Sequence, residues 1–333
     1  GISNEREGTL EISGGSIDEI SSSGTVIITG GNIGSFWNSG STTITSGTLG
    51  GFSNGGTAII TGGNISGSGV SNNRGGILTI SGGTITGNSS AISNSDGTVN
   101  IESITLSNSN IGISNTGSGI VNLAVSVTIN SNNIGISNSA TINIGSKDGN
   151  VSTEMPVITG KTYGISNGGS GKVNFYDGIV SGESGAFYGT VNEVEPGYKI
   201  VTNKNDTLTS ATLTLVGDDE KVAVLNGINF TSLQDAINSA SDTNESIITL
   251  YKDVTFESNI TVPAHQNIKL YLNGYTLNKG SYDFTGEGKI TVIDGTSTNA
   301  LANIMESVKE VLNIEGIKKN IIIYEMDDGS AIS

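Results

Sequence analysis

The chain has 333 residues, no cysteine, three prolines and 49 glycines, with 31 acidic against 15 basic side chains and a formal net charge of −16. Disulfides and thiolate metal sites are thereby excluded, a phosphate backbone would be repelled so that nucleic acid is not an expected partner, and no apolar run reaches the ~20 residues of a membrane span. The length admits one to three domains with a large core.

The apolar residues are mostly Ile, Val and Leu at alternating positions, bounded by Gly and Asn. That pattern marks strands and turns rather than a disordered low-complexity chain. The tetrapeptide GISN opens the chain at Gly1–Asn4 and recurs at Gly112–Asn115, Gly135–Asn138 and Gly164–Asn167, with close variants starting at Gly51, Gly69 and Ala91. Aligned on this motif, repeats start at Gly1, Glu19, Ser35, Gly51, Gly69, Ala91, Gly112, Gly135, Gly164 and Ala186, spaced 16 to 29 residues apart. A drifting period near 20 residues is a solenoid signature. Each repeat continues with a strand carrying two inward residues (Leu10 and Ile12, Val26 and Ile28, Ala58 and Ile60, Leu78 and Ile80). A Gly-Gly-type corner follows, then one more apolar residue (Ile17, Ile33, Leu49, Ile65, Ile85).

Strands this short cannot pair within one repeat, so each must pair with its equivalents in the neighbouring repeats. The expected fold is all-β: a right-handed parallel β-helix over residues 1–190, since left-handed helices built on strict hexapeptides do not tolerate such variable spacings. About nine turns at the ~4.8 Å strand spacing give a rod of roughly 40 Å. Asn tolerates the left-handed conformation better than other non-glycine residues. Placed at one corner per repeat, its amides would hydrogen-bond to one another up the stack. The expected ladder is Asn4, Asn38, Asn54, Asn72, Asn94, Asn115, Asn138 and Asn167. A repeated ligand site is the alternative use of these residues.

The pattern ISN…GTLxISGGxI resembles the β-helix repeats of large surface proteins from Gram-positive, especially clostridial, bacteria, and is similar to the repeats of polymorphic outer-membrane adhesins. The resemblance covers residues 1 to about 190 and implies a pectate-lyase-like β-helix. It says little of function, because that fold carries lyases, hydrolases, tailspikes and adhesins alike.

Residues 191–227 are read as a β-rich connector ending in a hairpin about Asn226–Gly227. Residues 228–333 are read as the helix-capped start of a second β-solenoid segment. There Thr231 is the expected N-cap, with Gln234 three residues on completing a capping box. Leu233, Ala236, Ile237 and Ala240 form the apolar face of a short helix that covers the open end, where apolar core and unpaired strand edges would otherwise be exposed. Inward candidates beyond it include Ile248, Leu250, Phe256, Val262, Ile268 and Leu270, and residues 300–312 are read as a further helix, with solenoid strands as the alternative. This stretch also resembles the usual opening of a β-helix in surface-protein families. Repeats first and cap second is the reverse of a self-contained β-helix, so the chain reads as a piece cut from a tandem array, with other copies of itself joined head to tail.

Chemistry-bearing residues are sparse. Glu5, Glu7, Glu11 and Asp18 fall within about one turn and are a candidate weak Ca²⁺ site against a solvated face; no other cofactor is expected. Gly217–Glu220 and Asp327–Ser330 read as exposed acidic turns, and the single histidine, His265, as a surface turn residue. No catalytic triad, zinc set or paired carboxylates emerge. Trp37, the only tryptophan, and Tyr188 stand where other repeats have Ser; projecting outward they are candidate ligand contacts that would stack on sugar rings, and the alternative is that they cover an end or corner of the rod. The expected function is a non-catalytic extracellular structural or adhesive protein of the bacterial cell surface or a fibre, with itself and a host or environmental glycan or protein as partners. The alternatives are a polysaccharide lyase or glycoside hydrolase, which needs carboxylates close together, or a phage tailspike.

Overall fold

A computed structural model describes residues 1–147 and 151–294, and the strands at 320–322, 325–327 and 330–332. The helix expected over residues 300–312 lies outside the described residues, as does part of the Asp327–Ser330 turn. The protein is nearly all β, with 58% of residues in strands and 2% in helix, and one sheet gathers 25 strands. The chain divides into two compact units, Gly1–Glu195 with Ile200–Thr214 and Pro196–Lys199 with Leu215–Ser333.

In the first unit, successive repeats pair in parallel and in register along three columns. One column contains the tetrapeptide strands: Ile2–Asn4 pairs with Ile20–Ser22, which pairs with Phe36–Asn38, and the pairing continues through Phe52–Asn54, Val70–Asn72, Ile92–Asn94, Ile113–Asn115 and Ile136–Asn138 to Ile165–Asn167. A second runs through Leu10–Ile12, Val26–Ile28, Thr42–Ile44, Ala58–Ile60, Leu78–Ile80, Val99–Ile101 and on to Val173–Phe175. The third is carried by Ile17, Ile33, Leu49, Ile65, Ile85, Leu106, Ile129, Ile158 and Val180. The inward members form one continuous core. Leu10 and Ile17 are only partly buried, whereas Val26, Ile28, Ile33, Ile60, Leu78 and Ile80 are fully buried. Each such side chain contributes roughly 1.5–3 kcal/mol by leaving water. Thr209–Leu215 runs antiparallel to Ile179–Gly182 and ends this regular pattern.

The corners do not bend as the sequence suggests. None of the ladder asparagines has positive φ; each lies at or one residue before the end of an extended strand with its side chain turned inward. The left-handed residue belongs to the Gly-Gly corner, at Gly31 and its register mates Gly15, Gly47, Gly63 and Gly83. Glycine meets that conformation without the Cβ penalty that Asn would retain. A different constraint puts glycine after the asparagines: a Cβ on Gly56 would lie 2.1 Å from the Gly40 carbonyl oxygen of the repeat beside it.

In the second unit, the strands Glu245–Leu250, Asn267–Tyr271 and Lys289–Asp294 pair in parallel, as do Val254–Thr255 with Leu277–Asn278 and Ile260–Val262 with Phe284–Gly286. Ala223–Leu225 and Ile228–Phe230 form an antiparallel hairpin, with Asn226 and Gly227 at its tip at φ 51° and 82°. The helix Leu233–Asn238 buries Leu233, Ala236 and Ile237 in a core with Ile248, Leu250, Phe256, Val262, Ile268 and Leu270. Its N-cap is Ser232, not Thr231: the Ser232 hydroxyl accepts from Asp235 N at 3.1 Å and donates to the Asp235 carboxylate at 2.6 Å. Gln234 does not reach back to close a capping box. Its amide bridges to the neighbouring strand, donating to Thr261 O and accepting from Thr261 N, each at 2.7 Å. The residue three beyond the N-cap is Asp235, whose carboxylate meets the Ser232 hydroxyl, while Gln234 fastens the helix to the neighbouring strand.

Candidate functional site

The interior amide column is the most regular polar feature. Asn38 Nδ2 donates to Asn54 Oδ1 at 2.7 Å, and the same bond links Asn54 to Asn72, Asn72 to Asn94, Asn94 to Asn115, Asn115 to Asn138, and Asn138 to Asn167, all between 2.8 and 2.9 Å. Each amide also donates to backbone: Asn94 Nδ2 lies 2.9 Å from Gly97 O and 3.3 Å from Ile120 O. These side chains are buried, so their hydrogen-bonding capacity is spent inside the stack and they offer nothing to a ligand. Asn4 joins the column through a serine, with its Nδ2 donating to Ser22 Oγ at 3.0 Å. Ser22 holds the register position between Asn4 and Asn38. A second, outward amide column, which sequence reading did not single out, links Asn174 to Asn143, Asn143 to Asn122 and Asn122 to Asn100 at 2.7–2.8 Å. Its signal is the Asn shared by the strands TVNI, IVNL, TINI and KVNF.

The residue between the inward apolar side chain and the inward Asn points out. In register it is Ser3, Ser21, Trp37, Ser53, Ser71, Ser93, Ser114, Ser137, Ser166 and Tyr188. Trp37 is outward because Phe36 and Asn38 on either side of it are buried, and it is 46% exposed. Tyr188 is 57% exposed and its ring tilts against Tyr163 at 5.3 Å between centroids. The structure does not bring Trp37 and Tyr188 together. Seven strand spacings separate them, on the order of 34 Å, with serines between.

Trp37 lines an open groove of about 670 Å³. Its walls include Ser21 and Ser53, the register neighbours of Trp37, and the corner residues Asn73, Arg74 and Asp96. The groove follows from unequal corners. The corner after Asn54 is Gly55–Gly56, while the corner after Asn72 is Asn73–Gly76, so the longer corner adds side chains where its neighbour has none. Arg74 and Asp96 both sit at positive φ, 53° and 63°. Asn73 Nδ2 donates to Ser53 Oγ at 3.3 Å, fixing the amide beside the indole. The Asp96 carboxylate accepts from Ser118 N at 2.8 Å, Ser118 Oγ at 3.1 Å and Ser95 Oγ at 3.3 Å. The Ser118 backbone bond, followed by the Ser118 hydroxyl, holds its carboxyl below the usual aspartate value. Arg74 is exposed and, among the described residues, has no ion pair. Of this groove sequence reading singled out Trp37 as a ligand contact and Asn38 as a ladder residue; the lengthened corner was the signal for Asn73 and Arg74.

Elsewhere the candidates stay apart. Among the described residues, no group of three or more His, Asp or Glu side chains is arranged to hold a metal ion, Glu5, Glu7, Glu11 and Asp18 included. His265 is exposed in a turn at φ 70°. In the Gly217–Glu220 turn, Asp218 pairs with Lys221 at 3.0 Å and Glu220 with Lys199, so both carboxylates titrate below their usual values, chiefly because those lysines donate to them. Among the described residues no helix is long and apolar enough to cross a membrane. No protein-family model, curated protein or solved structure matches this chain.

Proposed function

We propose that residues 1–190 form a right-handed parallel β-helix of the kind found in bacterial surface proteins, and that the chain is a non-catalytic extracellular module that projects and presents its side to a glycan or protein. The observation that carries this reading is the division of labour across the tetrapeptide strand. Its inward residues close the stack by apolar contact and amide pairing. Its outward residue forms a plain hydroxyl column, broken by exposed aromatics. A sequence whose polar atoms are consumed by its own scaffold is suited to holding a surface at a distance and poorly suited to moving protons or electrons. Tandem copies of the chain, stacked head to tail, would lengthen such a scaffold without new chemistry.

The full chain, immobilised, is tested against a panel of plant, mucin and bacterial polysaccharides, with reducing ends and unsaturated products assayed in the eluates. Retention of a subset without new chain ends is expected. Release of reducing or unsaturated ends would identify a carbohydrate-active enzyme instead, and retention of nothing would remove the adhesive reading for glycans.

A further inference from the structure

We propose that the Trp37 groove is a binding subsite for an acidic saccharide, a pyranose bearing a carboxylate, which stacks on the indole and pairs with Arg74; this rests on the reading of the chain as a glycan-presenting or glycan-binding module. Three observations converge on that chemistry. The groove offers a solvent-facing aromatic plane flanked by Ser21 and Ser53 hydroxyls, with the Asn73 amide held beside them. The apolar C–H face of a sugar ring packs on such a plane while its hydroxyls exchange hydrogen bonds with the rim. The two charges in the groove are not equivalent. Asp96 already accepts three hydrogen bonds from Ser118 and Ser95, whereas the Arg74 guanidinium has no ion pair among the described residues. A planar guanidinium matches a carboxylate bidentately. Finally, Arg74 is one of only two arginines in a chain of net charge −16. An acidic ligand is repelled over most of this surface; in this groove Arg74 offers it a cation with no ion pair among the described residues, beside the ionised Asp96.

Trp37 is the only tryptophan, so intrinsic indole fluorescence reports on this groove alone. The full chain is titrated with 3′-sialyllactose and with trigalacturonic acid, against lactose and the methyl-esterified trigalacturonate, with calorimetry run in parallel. A saturable change in Trp37 emission is expected for a carboxylated sugar. The neutral counterpart should bind about tenfold more weakly, as should the carboxylated sugar when Arg74 is replaced. The two acidic arms separate sialic acids from uronic acids. Arg74→Gly removes the guanidinium while suiting the backbone at φ 53°, and Arg74→Lys should recover part of the affinity. High salt should weaken the acidic sugar selectively. Equal binding of acidic and neutral sugars with an indole response overturns the charge recognition. Binding by calorimetry with silent fluorescence overturns the groove, and both results leave the adhesive reading standing. If the probes do not bind but the polysaccharide panel is retained, the acidic subsite is overturned and the module is not; if neither binds, both readings fall.

Discussion

The two units solve the same problem in different ways. In the first, one polar residue type repeats at one position, and each buried amide completes the hydrogen bonding of the next from Asn38 to Asn167. In the second, the strand pairings extend over few repeats and the polar contacts are individual: the buried Gln266 Nε2 donates to Ala240 O at 3.1 Å, Asn273 Nδ2 to Leu250 O at 3.1 Å, and Gln234 spans from the helix to Thr261. A long stack makes a repeated amide economical, because each side chain finds an identical partner in both directions. A short stack is mostly end, and ends are closed by unlike elements such as the Ser232-capped helix. One analogy crosses the units. Asp96 holds Ser118 in the first, and Asp253 accepts from Thr276 N and Oγ1 in the second, both at 2.8 Å. An Asp in one corner thereby pins the corner of the following repeat.

The comparison breaks most readily at the middle of the ladder. Asn94→Ala removes an amide that donates to three oxygens and leaves the Asn72 donor and the Asn115 acceptor short of a partner inside the core. A loss of about 3–5 kcal/mol is expected in denaturant unfolding followed by circular dichroism. Asn94→Ser should be milder, since Ser22 already occupies this column. A loss below about 1 kcal/mol for Asn94→Ala would show that the ladder is incidental to stability. Ile237→Ala, at the buried face of the helix, should cost about 2–4 kcal/mol. Amide exchange should rise in the strands 245–250 and 267–271 and stay unchanged in the ladder repeats if the two units are held independently. Ser232→Ala should cost about 1 kcal/mol through the lost cap, while Thr231→Ala stays within about 0.5 kcal/mol.

A smaller effect of opposite sign is expected at Thr42. Its side chain sits in register between Val26 and Ala58, and its buried hydroxyl has no hydrogen-bond partner. Thr42→Val should stabilise the protein by about 1 kcal/mol, measured as a raised denaturant midpoint. The last effect is in pH. Burial raises the Tyr176 phenol above the usual tyrosine range, and its hydrogen bond to Glu193 Oε2 at 2.8 Å adds to this. A raised folded value means the contribution is fully present below the ordinary pKa of about 10 and is lost as pH rises toward the folded value. Tyr176→Phe should flatten that alkaline decline in denaturation profiles taken above pH about 9.

Much of this architecture was legible because its period is local. Residues two apart on a strand share a face, so Val26 and Ile28 or Leu78 and Ile80 could be placed inward, and the Asn after each inward apolar residue and outward Ser fell into a column. The hairpin at Asn226–Gly227 was equally local. The errors arose where two local solutions compete. Asn and Gly both suit bends, and only the three-dimensional corner shows that Gly takes the left-handed position while Asn stays extended to reach its neighbour. Thr231 and Ser232 are both good caps, and the choice depends on where the chain leaves the Phe230 strand.

The sequence by itself therefore determined which residues are inside, which repeat pairs with which kind of repeat, and that the interior polar residue is an amide; alternation and period suffice for these. Only the tertiary structure decided what shares the outer surface. Trp37, Asn73, Arg74 and Asp96 come from three different repeats and line one groove because parallel stacking in register brings residues far apart in the chain to within two or three strand spacings of each other. Asp96 is engaged because its corner reaches Ser118, whereas Arg74, its register mate in the preceding repeat, forms no ion pair among the described residues.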